Sequence, residues 1–291
     1  MNSFFVIGCP RSGTTFLMEC LAALPYTECV SGISFPVPMA HLAAQQLPEQ
    51  TIHCLEYGLR STLNVYLDAV PNSRFKAFHR LAAGFLGVSE AKKILQRRRQ
   101  LQNLIYKEPF FSFSPSFLYR ALPDCKIIYL YRDGRDCANS LVECYDVLTN
   151  AKLKTLDTSE SVLGYQHKDF WIPWWVAADQ ADIFIEASPY VRSIWMWKEM
   201  VSCCESFFSQ ANVITSERIL KIKYEDLAHE PIIFGEKIVN YIGADFDTRI
   251  QKRFRQASVK AIGKYKKRDA LDIKLAEQVA HRELSLYGYI A

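Results

Sequence analysis

The sequence predicts an α/β fold, a three-layer sandwich in which a central parallel sheet carries helices on both faces. Short apolar runs at 3–8, 104–107, 126–131 and 220–224 lack two-residue alternation, as strands do when both faces are covered. Helical patterns lie between these runs. With 49% hydrophobic residues in 291, the chain can bury a sizeable core.

The first run, Phe4-Phe5-Val6-Ile7, leads through Gly8-Cys9-Pro10-Arg11-Ser12-Gly13 to Thr14 and Thr15. Leu17, Leu21 and Leu24 then recur at helical spacing, and Pro25 closes the helix. A strand, a glycine turn and a helix N-terminus in succession gather backbone N–H groups and two hydroxyls, which suits a doubly liganded phosphate. The lysine that precedes the hydroxyl residue in a nucleoside-triphosphate loop is missing, and Arg11 stands earlier in the turn. Taken alone, the segment reads equally as a strand-to-helix turn capped by threonine.

The second run ends in Lys107-Glu108-Pro109. The third ends in Arg132-Asp133-Gly134-Arg135-Asp136 and is followed by a helical pattern over 134–145 that carries Ser140 about two turns in. Arg132 and Ser140 can close on one phosphate; the four charges can also neutralise one another on a solvated rim. Helical patterns over 191–207 and 231–242 flank the last run. In such sheets ligands sit beyond the carboxyl ends of the strands, where these charges fall.

Composition narrows the partners. Thirty-five Lys and Arg against 31 Asp and Glu leave +4, too little for a nucleic-acid binder resting on many phosphate contacts. The nine cysteines are irregularly spaced and form no CxxC pair, so neither zinc nor a disulfide framework is expected, and reduced thiols point to the cytoplasm. No signal peptide or spanning segment is expected, and no linker divides 1–291, which reads as one domain.

PRSGTT at 10–15, YKEP at 106–109, IIYLYRDGRDCANS at 127–140, KYEDL at 223–227 and AIGKYKKR at 261–268 occur in an order that resembles the sulfotransferases dependent on 3′-phosphoadenosine 5′-phosphosulfate (PAPS), in particular the tyrosylprotein-type and bacterial small-molecule branches. The resemblance implies a P-loop-like fold and sulfuryl transfer from PAPS to a hydroxyl or amine of a small-molecule acceptor, leaving adenosine 3′,5′-bisphosphate (PAP) and needing no metal. It places Arg11, Ser12, Gly13, Thr14 and Thr15 on the 5′-phosphosulfate and Arg132 and Ser140 on the 3′-phosphate. Tyr224 would line the adenine pocket or be a core tyrosine at a strand end. Lys264 and Lys266 lie in the loop that folds over the cofactor in this family; five cations in nine residues also describe a solvated charge run. The basic cluster of Lys92, Lys93, Arg97, Arg98 and Arg99 has no family parallel and reads as an exposed helix face.

Arg11 and Lys107 are the expected catalytic cations, since charge builds on the leaving oxygen in a loose in-line transition state. A base is harder to place. Tyrosylprotein-type enzymes carry an acidic pair shortly after the first helix, but residues 29–35 here contain no acid. Glu108, next to the family lysine, is the expected replacement, with His41, His79 and His167 as alternatives. The segment 146–190 lies outside the motif match and reads as a substrate-side insertion; its Trp171, Trp174 and Trp175 are expected to border the acceptor pocket. Two rivals remain on sequence alone. A P-loop kinase needs a GK[ST] element and a metal-binding aspartate that are not found in place. A non-catalytic module binding adenosine bisphosphate or another anion would tolerate the missing base.

Overall fold

The computed structural model describes residues 2–31, 36–67, 101–210, 212 and 216–291, without the side chains of 31, 36 and 64–67. His79 and the basic cluster at 92–99 lie outside the described residues. The strands among them are β1 (Asn2–Ile7), β2 (Thr27–Ser31), β3 (Asn103–Lys107), β4 (Lys126–Tyr131), β5 (Tyr165–His167), β6 (Phe170–Ile172) and β7 (Ile219–Lys223). Five of them form a parallel sheet in the order β2-β3-β1-β4-β7, and β5 and β6 form a separate antiparallel hairpin.

Alternation along β1 sorts the two faces. Phe4 and Val6 bury against Leu17 and Leu21 of the Thr14–Leu21 helix and Ile238 of the Pro231–Ile242 helix. Phe5 and Ile7 point the other way, into a cluster with Leu59, Phe117 and Cys204 from helices Glu49–Leu67, Pro115–Ala121 and Pro189–Gln210. Each face of the sheet is thus dry, which explains why the strands read as continuous apolar runs. A third cluster, around Trp197, Trp195, Phe184 and Leu153, lies among the Gly134–Tyr145 and Pro189–Gln210 helices and the segment between them.

Register sets the site. Val6 pairs with Lys107 across β1 and β3, Ile7 with Tyr129 across β1 and β4, and Tyr131 with Lys223 across β4 and β7. The carboxyl ends of these four strands therefore lie along one rim, carrying the glycine turn, Lys107-Glu108, Arg132 and Tyr224.

The expected runs fall within a residue of β1, β3, β4 and β7, and the helices over 134–145 and 231–242 are as expected. The helix expected over 14–24 stops at Leu21, because Ala23 and Leu24 bond three residues back in a tighter turn. The long helix runs over Pro189–Gln210, beyond 191–207 at both ends. β2 had no sequence signal: it is a sheet edge reading Thr-Glu-Cys-Val-Ser.

Candidate active site

The turn after β1 is shaped by close approach. A Cβ on Gly8, at φ +140°, would stand 2.0 Å from the Leu130 carbonyl oxygen, and one on Gly13, at φ +97°, would stand 2.5 Å from the Tyr224 ring. Between them Arg11 itself takes φ +73°, a left-handed conformation that a long side chain adopts only when its surroundings impose it. Arg132 is part of that imposition: its Nη1 donates to the Arg11 carbonyl at 3.0 Å and its Nη2 to the Ala261 carbonyl at 2.6 Å. The Thr14–Leu21 helix begins at Gly13 with no side-chain cap, so its first N–H groups remain open toward the turn.

One cleft, of about 450 Å³, runs from this turn past Arg132, Ser140 and Tyr224 to Lys264. Arg11 reaches along it, Nε donating to Ser140 Oγ at 2.9 Å, with its guanidinium 5.2 Å from the Tyr145 ring centroid. The Arg132 guanidinium lies 4.8 Å from the Tyr224 ring centroid, and Tyr224 donates its hydroxyl to the Ser258 carbonyl at 3.1 Å. Asp136 accepts from the Gly263 and Tyr265 N–H groups at 2.7 and 3.2 Å, pinning the basic 263–267 turn over the cleft. Arg132 is only 5% exposed, and its Nε has no partner among the described residues.

A second cavity of about 460 Å³ shares Arg11, Thr14 and Thr15 with the first. Lys107 stands at the junction, Nζ donating to Thr15 Oγ1 at 3.2 Å. Beyond it the walls are largely apolar, with Phe110, Leu141, Leu148 and Met196, interrupted by the carboxylates Asp146, Asp157 and Glu160.

The sulfotransferase family model matches residues 3–186, well over half of the chain. The chain belongs to the sulfotransferase family. Among solved structures, it is similar to the sulfotransferase domain from the curacin biosynthetic pathway (18% identity over 99% of this chain and 98% of that one, TM-score 0.49). It is also similar to the sulfotransferase domain of the Synechococcus PCC 7002 olefin synthase (19%, 96% and 94%, TM-score 0.47) and a mouse sulfotransferase solved with PAP (14%, 97% and 84%, TM-score 0.47). No curated protein matches.

In this sulfotransferase the two sites expected from sequence are one cleft. Arg11, Gly13, Thr14, Thr15, Arg132, Ser140, Tyr224 and Lys264 all line it. Two expected ligands do not. Ser12 is turned inward, its buried Oγ without a partner among the described residues, and Lys266 points to solvent. Tyr224 is buried just after β7 and forms a wall of the cleft.

The substrate side departs further from expectation. None of Trp171, Trp174 and Trp175 lines the second cavity. Trp175 is core, stacked on Phe113 at 6.4 Å; Trp174 packs edge-on to the same ring at 5.1 Å; Trp171 lies half-buried on the hairpin opposite Gln166. Trp174 and Trp175 pack with Phe113 in the core, and the same segment supplies the cavity wall instead through Asp146–Leu148, Lys152, Asp157, Thr158, Glu160 and Ser161. Glu108 also turns away. Its carboxylate accepts from the Phe110 N–H at 3.2 Å, capping the turn Pro109–Phe113, and it does not line either cavity. Burial pushes its pKa up to about 7, against the lowering pull of the Phe110 N–H and Lys107. His167 pairs with Asp182 at 2.9 Å on the exposed hairpin, and His41 is buried behind the cavity wall.

Among the described residues no group of His, Cys, Asp and Glu could hold a metal, and no helix is long and apolar enough to cross a membrane. All nine cysteines are free.

Proposed function

We propose that the donor is PAPS and that the acceptor is a small molecule presenting a hydroxyl or amine. Support comes from the junction at Arg11, Thr14 and Thr15, with Lys107 bonded to Thr15: a polar cleft and a largely apolar cavity meet there, as a donor and an acceptor on opposite sides of a travelling group require. The residues present fit a bisphosphorylated nucleotide. The uncapped helix start and Arg11 suit the 5′-phosphosulfate, while the unpartnered Arg132 Nε, Ser140 and Lys264 suit a second phosphate. The Tyr224 ring offers a flat wall between them.

In transfer, the acceptor's lone pair forms a bond to sulfur while the bond from sulfur to the bridging oxygen breaks, the electron pair leaving with PAP. With PAPS bound, Arg11 and Lys107 would stabilise the charge that develops on that oxygen more in the transition state than in the ground state. Glu108 acts at one remove, fixing through its cap the turn that carries Phe110 into the acceptor cavity. The test is transfer of label from [35S]PAPS to a panel of small phenols and amines. Parent turnover that falls about 10²–10³-fold in Lys107→Ala supports the assignment; full activity in that variant removes Lys107 from the chemistry.

A further inference from the structure

Four of the cavity's residues, Asp157, Thr158, Glu160 and Ser161, come from one short stretch. Glu160 lines the acceptor cavity, yet its side chain is only 13% exposed, and burial raises its pKa. Behind it stands His41, fully buried on the Pro36–Ala43 helix. Trp174 Nε1 donates to His41 Nδ1 at 3.0 Å, so Nδ1 is the ring's acceptor and Nε2 carries its hydrogen. Burial depresses the His41 pKa to about 3, so the ring is neutral and its approach to Glu160 is not an ion pair. His41 Nε2 lies 3.7 Å from Glu160 Oε1, just beyond hydrogen-bond length, and has no other partner among the described residues. The Trp174–His41 pair thus presents a neutral N–H to the back of a carboxylate whose front faces the cavity.

The geometry points to Glu160 as the general base, the group that takes the proton from the acceptor as its oxygen or nitrogen bonds to sulfur, with Trp174 and His41 as positioning residues. This rests on the reading of the two cavities as donor and acceptor sites. It supplies the base missing from residues 29–35 from a different part of the chain. The other charged groups on the same cavity wall are Arg11, Lys107, Lys152, Asp146 and Asp157. Proton balance is simple: the acceptor's hydrogen passes to Glu160 Oε, the sulfuryl group to the acceptor, and Glu160 returns its proton to solvent once PAP has left. A shift of Glu160 Oε1 by a few tenths of an ångström completes the His41 hydrogen bond and steadies the carboxylate for the next cycle.

The experiment compares the parent with Glu160→Gln and Glu108→Gln. Affinity for PAP is measured by calorimetry, and release of PAP from PAPS is followed with 2-naphthol, with pentafluorophenol and with water alone. Pentafluorophenol is already ionised at neutral pH and needs no base; 2-naphthol and water do. Glu160→Gln is expected to bind PAP as the parent does, to lose about 10²–10³-fold with 2-naphthol and water, and to keep most of its rate with pentafluorophenol. The selective loss appearing in Glu108→Gln instead of Glu160→Gln would make Glu108 the base and overturn the assignment. The water arm requires no phenol to fit the cavity. Intact PAP binding with an equal loss on all three acceptors, or with no loss, overturns the assignment of Glu160 alone. Absence of PAP binding in the parent overturns the donor-site reading and this assignment with it.

Discussion

Gly13 lies against the Tyr224 ring with a backbone that other residues rarely adopt, so a single methyl group tests the turn. Gly13→Ala is expected to weaken PAP binding at least tenfold and to destabilise the fold by about 1–3 kcal/mol, read by calorimetry and urea unfolding. Arg132→Ala removes a charge from the cleft and leaves the Arg11 and Ala261 carbonyls without their donor. About 1.5–3 kcal/mol of lost charged hydrogen bonding should weaken PAP binding roughly tenfold to a hundredfold. Glu108 makes the opposite kind of prediction. Its pKa rises from an ordinary 4.5 to about 7, so in that window the folded chain holds a proton that the unfolded chain has released. Its contribution therefore becomes less favourable as pH rises through the window. Gln at 108 can keep the cap on Phe110 without ionising, so urea midpoints should show Glu108→Gln gaining stability over the parent at pH 8 relative to pH 5, by on the order of 1–3 kcal/mol. An identical difference at both pH values would mean that Glu108 is ionised throughout.

The Pro189–Gln210 helix ties the site to the core, because fully buried Trp197 donates its indole N–H to the Arg132 carbonyl at 3.1 Å. Trp197→Phe keeps most of the apolar burial but orphans that carbonyl; the expected cost is about 1–3 kcal/mol in unfolding together with weaker PAP binding. A loss of stability with unchanged PAP affinity would separate the helix from the site. Elements with strong local signals were legible in the sequence: strands buried on both faces, the glycine turn, and Arg132 with Ser140 at a strand's end. Each of these is written in contiguous residues. The acceptor side was not legible, because its wall is assembled from short pieces, the helices Asn150–Leu153 and Ser159–Val162 and the turn Pro109–Phe113, with no periodicity of their own. Its aromatic residues misled for a physical reason. Trp174 and Trp175 are large apolar bodies whose burial contributes most in the core, and they pack on Phe113 behind the cavity while smaller and charged neighbours face it. Glu160, His41 and Trp174 meet from three separate elements, and only the fold brings them together.

Across the whole molecule, the parallel register of β1, β3, β4 and β7 brings four strand ends onto one rim, and helix packing on both faces leaves that rim as the open side. The polar cleft and the second cavity share Arg11, Thr14 and Thr15, so a single turn borders both. On the proposed function, this turn and the Arg132 strand end hold a 3′,5′-bisphosphorylated adenosine without metal. Calorimetry of the parent in chelator-treated buffer, with PAP beside ATP and then Mg-ATP, tests it most directly. Tight PAP binding with no magnesium dependence and much weaker ATP binding is the predicted result; a preference for Mg-ATP, or no binding of PAP, would contradict it.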